Sequence, residues 1–430
     1  MGVSGNWCLI SLTGGVERLY YVEVAGSLNF LSVTAIDLAG VRVHLGQPRQ
    51  VTESHGYAYI PTIAQFPSGE LIITYSLVPD TNENPVDVSG LQISTDGGMS
   101  WGQRHEIIPE HQPLIYIPAE DGSLSGLPGH LYPAAPGDNY NFQGTSFRLE
   151  QGGRRMVFEP QGVRIVDWPW PVESTPRPVA QGNWFVKLCF DGSAIRLGNR
   201  LLATAYGTRP GESLDSCFLL ASEDGGSTWR YHATVADPSM MTNPAKWGAN
   251  GPCEPAMVQL ADGDLLAVFR IGNGPGWYLH KCYSSDGGAT WSQPEALPAY
   301  SVEPSLLRLQ NGTLALSTGR PGIFLWLSTD SRGQNWQAVD LVAHHNRCFD
   351  DLTYKISPYP FWNPREMNSW TYTEMVEVAP NKLLLVYDRV IPDRGIVAYG
   401  PGTDRLRWAP SREDVERFRI FVLPIEIERI

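Results

Sequence analysis

Charge is the first scarcity. Asp, Glu, Lys and Arg make up 18% of the 430 residues, against roughly 25% in ordinary soluble domains. No segment concentrates Lys and Arg, and 32 basic against 45 acidic residues leave a formal net charge of −13. That balance argues against nucleic acid or an anionic membrane surface as a partner. Cysteine is sparse and scattered: Cys8, Cys189, Cys217, Cys253, Cys282 and Cys348 form no C-x-x-C pair and no zinc-like spacing. Free thiols in a reducing compartment are expected, with no metal and no cofactor. Apolar runs of about 20 residues, long enough to span a bilayer, are missing as well. The N-terminal "MGVSGNWCLISLTGGVERLYY" lacks the basic start and sustained apolar centre of a signal peptide. The chain as given is expected to be cytoplasmic; with a leader already removed it would instead be secreted or periplasmic. Helix signals are few, and "SREDVERFRIF" (411–421), with a Ser cap, is the one short helix expected.

Turn formers and aromatics are what the chain has instead. Its 43 Gly, 34 Pro and 14 Trp describe many short strands joined by turns, an all-β composition. Four stretches share one layout of apolar strand, turn and apolar strand: "YIPTIAQFPSGELIITYS" (59–76), "CEPAMVQLADGDLLAVFR" (253–270), "VEPSLLRLQNGTLALSTGR" (302–320) and "YTEMVEVAPNKLLLVYDR" (372–389). "FDGSAIRLGNRLLATAYG" (190–207) is a fifth version. These are hairpins by alternation and turn chemistry.

A second repeat follows the hairpins. "STDGGMSW" (94–101), "SEDGGSTW" (222–229), "SSDGGATW" (284–291) and the looser "STDSRGQNW" (328–336) begin 128, 62 and 44 residues apart. Asp can accept backbone N–H bonds two residues on, Gly supplies positive φ, and Trp buries a ring between strands. Asp96, Asp224, Asp286 and Asp330 are therefore read as turn residues, since equivalent points of four units cannot meet at one centre. Strand, strand, strand, boxed turn, strand is a four-stranded unit, and its repetition implies a β-propeller. The segment 109–178 loses the period and is read as a Gly/Pro-rich insertion with one divergent blade, its strands supplied by 146–168. The alternating C-terminal "FRIFVLPIEIERI" is expected to close the ring against "VRVHLGQPRQV". The whole chain, 1–430, is read as one propeller domain.

The repeated Ser-x-Asp-x-Gly-x-x-Trp boxes resemble the Asp boxes (bacterial neuraminidase repeats) of the sialidase superfamily, over residues 57–389. The resemblance implies a six-bladed propeller of four-stranded antiparallel blades with the boxes at its periphery. It also implies an arginine triad for a sugar carboxylate, a Tyr nucleophile paired with a Glu, and an Asp acid/base. Carried over position by position, Tyr372 becomes the nucleophile and Glu254 its base. Arg270 and Arg320, which close their hairpins, become the second and third arginines. Glu303 repeats the Glu-Pro of Glu254 one blade later and is placed on the same rim. The acid/base falls on the loop "SLVPDTNENPVDVSG", where Asp80 stands ahead of Glu83 and Asp87 without spacing to choose among them. His55 is placed at the pocket mouth. The first blade departs from the pattern: "YIP" sets Tyr59 where the family has arginine, with Arg389 as a possible substitute and Asp388 where the acid bracing that arginine would sit.

These residues describe an exo-acting retaining glycoside hydrolase releasing a terminal sialic acid or similar acidic sugar from a glycan or oligosaccharide. Two alternatives accompany it. A propeller glycosidase or polysaccharide lyase acting on a non-sialic sugar is favoured by Tyr59, and a non-enzymatic binding propeller predicts no convergence of Tyr372, Glu254, Arg270 and Arg320.

Overall fold

A computed structural model describes residues 32–52, 56–77, 88–107, 113–129, 131–135, 141–152, 155–170, 188–209, 212, 214–240, 249–272, 278–298, 301–320, 322–356, 372–390 and 416–430. Among these the strands form five sheets. Three are four-stranded antiparallel meanders. The first runs Tyr59–Gln65, Leu71–Ser76, Ser89–Ser94 and His105–Ile107. Another runs Ala249–Gln259, Leu265–Gly272, His280–Ser284 and Glu295–Ala296. The next comprises Ser305–Arg308, Leu314–Thr318, Phe324–Ser328 and Gln337–Asp340.

The expectation of six separate four-stranded blades is corrected by the remaining two sheets. A nine-stranded sheet contains one meander of Pro113–Pro118, Leu124–Pro128, Phe142–Gly152 and Arg155–Val166, and a second of Leu188–Leu197, Arg200–Thr208, Asp215–Ser222 and Thr228–Ala236. Their outermost strands pair in parallel, Arg164 with Thr228 and Val166 with Arg230, so two units merge into one sheet. Arg164 and Ile165 pair on one side with Gln143 and Phe142 of their own hairpin and on the other with Thr228 and Trp229. Tyr132–Pro133 pairs with the edge of Phe142–Gly152.

The last sheet joins the chain ends. Thr373–Ala379, Lys382–Arg389 and Arg419–Arg429 are followed by Val41–Gly46 and Ser32–Leu38. Val41 pairs with Arg429 and Leu45 with Ile425, while Arg49–Gln50 also pairs with Arg419–Arg429. A propeller closed by strands from both ends of the chain resists opening, since blade separation requires breaking this ladder. The helix expected over 411–421 is not formed at its C-terminal end: Arg419 to Phe421 lie in a strand that is buried on both faces over Ile420–Ile425 and pairs with Lys382–Arg389. Residues 411–415 lie outside the described residues. Among the described residues the α-helix is Leu341–Cys348, capped by the Asp340 carboxylate accepting from Ala343 N at 3.0 Å.

The three boxes with paired glycines share one pattern. Ser284 Oγ donates to Asp286 Oδ1 (2.8 Å) and accepts from Gly288 N (2.9 Å), while Asp286 Oδ1 accepts from Thr290 N (2.9 Å). Trp291 Nε1 donates to Gly288 O at 3.1 Å. The Ser and Asp bonds recur around Asp96 and Asp224, and Trp229 Nε1 repeats the ring bond, to Gly226 O at 2.7 Å. Each box joins the third and fourth strands of its unit. With so many donors directed at it, the Asp286 carboxyl is held down to about 2.

The six innermost strands, beginning at Tyr59, Pro113, Leu188, Ala249, Ser305 and Thr373, touch in succession, and the last touches the first. Apolar clusters fill the wedges between neighbouring sheets, for example Leu265, Ala267 and Phe269 against Leu219 and Val235. The centre of the ring is left to polar side chains.

Candidate active site

The inner strands begin on a strained note. Ile60, Glu254 and Glu303 each precede a proline and hold φ of 53°, 49° and 43°. Gly192, at the start of the third unit, has φ of 90°. The ladder slips at the same places, between Tyr59 and Thr62, Phe190 and Ala194, and Cys253 and Ala256. A bulge re-aims the side chain it carries, and a non-glycine residue at positive φ is strained, a feature that clusters at functional sites. Here the device turns Glu254 out of the alternation of its strand and toward the axis. Gly192 is fixed by space as well as by φ: a Cβ there would lie 1.7 Å from Pro255 O, on the residue following Glu254.

Glu254 is 2% exposed and makes three contacts. Its Oε1 accepts from the Tyr372 hydroxyl at 2.9 Å and from Arg270 Nη2. Its Oε2 accepts from Glu303 N at 2.9 Å. Tyr372, from the last blade, thus meets Glu254 and Arg270 of the Ala249–Gln259 hairpin across the ring. Burial, then the carboxylates of Glu254 and Glu303, push the Tyr372 hydroxyl well above the usual phenol range. The Arg270 guanidinium, buried but facing Glu254, is held well above its ordinary value.

Two residues that the sequence reading did not name complete the acidic wall. Asp191, 1% exposed, sits before Gly192, and burial followed by the Glu254 charge raises its carboxyl to about 7. Glu374 follows Thr373, accepts from Ile63 N at 2.9 Å, and is pushed well above the carboxylate range by burial. Glu303 is likewise raised by burial and by the Asp191 and Glu254 charges. A pocket at the ring centre is lined by Thr62, Gly192, Glu303, Tyr372 and Glu374 among others, drawn from four of the inner strands. The signal for Asp191 was an Asp-Gly pair at the start of the fifth hairpin, which by itself reads as a turn. Glu374 looked like the outward residue of an alternating strand.

The other candidates fall elsewhere. Arg320, 9% exposed, stands just behind the Glu303 strand start, where Ser301 Oγ bonds Gly319 O (2.6 Å) and Arg320 O (3.3 Å). Tyr59, expected to bind substrate, is placed in the core: it is 1% exposed, within an apolar cluster, 6.3 Å from the Tyr57 ring. Its large ring fills the wedge between the first and last sheets, and packing explains it. Arg389 is not a substitute arginine. It is fully buried, with Nε donating to Lys355 O (2.9 Å) and Nη1 to Arg417 O (3.1 Å), and burial lowers it to about 9. Asp388, also buried, accepts from Ile60 N at 3.2 Å and so braces the strained backbone of the first inner strand. His55, Asp80, Glu83 and Asp87 lie outside the described residues. Among the described residues no group of three or more His, Cys, Asp or Glu is arranged to hold a metal ion.

An all-β ring of hairpins stitched by Asp-box turns, with a Tyr–Glu–Arg contact at its centre, defines a class, and comparison with known proteins agrees with it. Residues 172–379 match the BNR repeat-like domain. The match spans just under half of the chain. A sialidase of Vibrio cholerae serotype O1 is 28% identical over a 174-residue alignment, with 33% of this chain and 22% of that protein covered. The matched stretch thus spans about a fifth of the curated relative. Among solved structures, a Dyadobacter fermentans protein of unknown function superposes with a TM-score of 0.57 at 18% identity, covering 91% of this chain and 100% of its own. A Penicillium chrysogenum alpha-L-arabinanase complexed with arabinobiose gives 0.54 at 15% identity, covering 89% and 98%. These likenesses carry the fold.

Proposed function

We propose that this chain is a retaining glycoside hydrolase acting on a terminal sugar, built on the five-sheet propeller. The observation that carries the reading is the convergence of Tyr372, Glu254 and Arg270 at one carboxylate oxygen in the centre of the ring. A binding propeller has no need of that contact. Tyr372, kept as a neutral phenol, attacks the anomeric carbon as its proton passes to Glu254 Oε1, at hydrogen-bond distance. Arg270 stabilises the base and sets its orientation. The resulting glycosyl-tyrosine is then hydrolysed by water, with retention of configuration. An acid from the loop after the first hairpin, Asp80 ahead of Glu83 and Asp87, was the expected proton donor.

For a terminal sialic acid or similar acidic sugar, the sugar carboxylate would rest on Arg270 and Arg320. A second reading, a sugar without that carboxylate, is favoured by one observation: Arg270 is already engaged by Glu254, while Tyr59 and Arg389 are packed away from the pocket. The test is a panel of nitrophenyl glycosides spanning sialosides, uronides, hexosides and arabinosides, with ultraviolet detection of unsaturated products for elimination. Tyr372→Phe and Glu254→Ala are expected to bring turnover to background. Intact turnover in both would remove the assignment.

A further inference from the structure

Two carboxyl groups at the pocket take no part in the steps above. Glu303 lines the pocket, and its Oε2 is buried without a hydrogen-bond partner. Asp191 Oδ1 is buried and unpartnered in the same way. The groups facing this pair are Glu254 and Arg270 from the adjoining hairpin, Tyr372 and Glu374 from the last blade, and Tyr206 from the hairpin of Asp191. One guanidinium faces three carboxyl groups and already donates to one of them. A buried carboxylate with no partner is costly. Two carboxyl groups sharing a site relieve that cost by keeping a proton between them. Both are accordingly raised, Asp191 to about 7 and Glu303 well above the carboxylate range, burial being the first cause for each.

We infer that Glu303, kept protonated by its contact with Asp191, is the proton donor to the glycosidic oxygen, with Asp191 as its positioning residue. The inference rests on the glycosidase reading above and replaces the loop acid. As the bond from the anomeric carbon to the leaving oxygen breaks, its electron pair goes to that oxygen, which takes the Glu303 proton and departs as a neutral alcohol. Tyr372 oxygen forms the new bond to the anomeric carbon and its proton passes to Glu254. In the second half, the Glu303 carboxylate removes a proton from water attacking the same carbon, and Tyr372 recovers its own from Glu254. All groups end in their starting state.

The experiment compares the native enzyme with Glu303→Gln, Asp191→Asn and Tyr372→Phe on dinitrophenyl and methyl glycosides of the sugar that the native enzyme accepts. A dinitrophenolate leaves without protonation and a methoxide does not. Glu303→Gln is therefore expected to lose about 10²-fold or more in kcat/KM on the methyl glycoside and less than about 10-fold in kcat/KM on the dinitrophenyl one, since kcat/KM reports only the steps up to the glycosyl-tyrosine. Asp191→Asn is expected to shift the basic limb of kcat/KM to lower pH, because Glu303 loses the neighbour that holds its proton. Equal losses on both leaving groups in Glu303→Gln overturn the inference. Native-like turnover by Tyr372→Phe overturns the glycosidase mechanism instead. An infrared readout needs no substrate: a protonated-carboxyl band at neutral pH, removed by Glu303→Gln, is expected, and its absence from the native protein overturns the proton-sharing pair.

Discussion

Asp191 makes a sharp prediction about stability. Its carboxyl is raised from 3.8 to about 7 in the fold. Below about pH 3.8 it is protonated whether the chain is folded or not, and its contribution to stability is full. As pH rises the unfolded chain ionises first and is favoured, so stability falls until the native carboxyl ionises in turn near 7. Between those values the unfolded state binds fewer protons, and the slope reaches at most about 1.4 kcal/mol per pH unit for one group. Over roughly three units the loss is on the order of 4 kcal/mol, and it belongs to the Asp191–Glu303 pair because the two titrate together. Asn keeps the shape and a hydrogen-bonding side chain but has no charge to hide. Asp191→Asn is expected to gain on the native protein as pH rises from 4 to 7, measured by urea unfolding at several pH values. Carboxylates held low, such as Asp96, Asp224 and Asp330, act in the opposite direction, losing stability as pH falls. They are present in both proteins and cancel in the difference. A difference between the two that stays constant across pH 4–7 would refute the reasoning.

Two substitutions separate the site from its frame. Gly192→Ala places a Cβ 1.7 Å from Pro255 O at φ of 90°, so strain and overlap together should cost about 2–5 kcal/mol. Pro255 follows Glu254, so the displaced backbone should also lower kcat in the fraction that folds; unchanged unfolding midpoint and turnover would contradict the close approach. Ser222→Ala removes the hydroxyl that bonds both Asp224 Oδ1 (2.9 Å) and Gly226 N (2.9 Å) and should cost about 1–3 kcal/mol by leaving a buried donor unmet. Its kcat/KM at a temperature where it stays folded should match the native value, since the box is peripheral.

Much of the frame was legible in the sequence because it is written in local rules. The boxes combine an Asp acceptor, two glycines and a Trp in fixed order, and each forms the turn between the third and fourth strands of its unit. The C-terminal alternation led directly to the closing strand against Val41–Gly46. Merging of two units into one sheet was not legible, since it depends on Arg164 and Ile165 pairing with Thr228 and Trp229. The short helix expected over 411–421 is not formed at 419–421, because those residues pair with Tyr387–Arg389 in the closing sheet. Glu254 could be found from its Glu-Pro dipeptide. Asp191 could not, because its meaning comes from meeting Glu303 two hairpins later in the ring.

The boxes and the site are connected through the packing between blades. A Cβ on Gly98 would meet Leu384 Cδ1 at 2.6 Å, one on Gly288 would meet Leu219 Cδ2 at 2.4 Å, and one on Gly333 would meet Leu266 Cδ2 at 3.3 Å. In each case the leucine belongs to the preceding unit, so these three glycines let their turns seat against the blade before them. Gly98 does so across the closure, where the first unit meets the last. The spacing between inner strands follows from these contacts, and the bond from Tyr372 to Glu254 crosses the junction that Gly333 seats. A side chain larger than hydrogen at Gly333 would therefore alter the central contact as well as stability, by changing the angle between blades. This is why residues so far from the chemistry carry a motif as strict as that of the site itself.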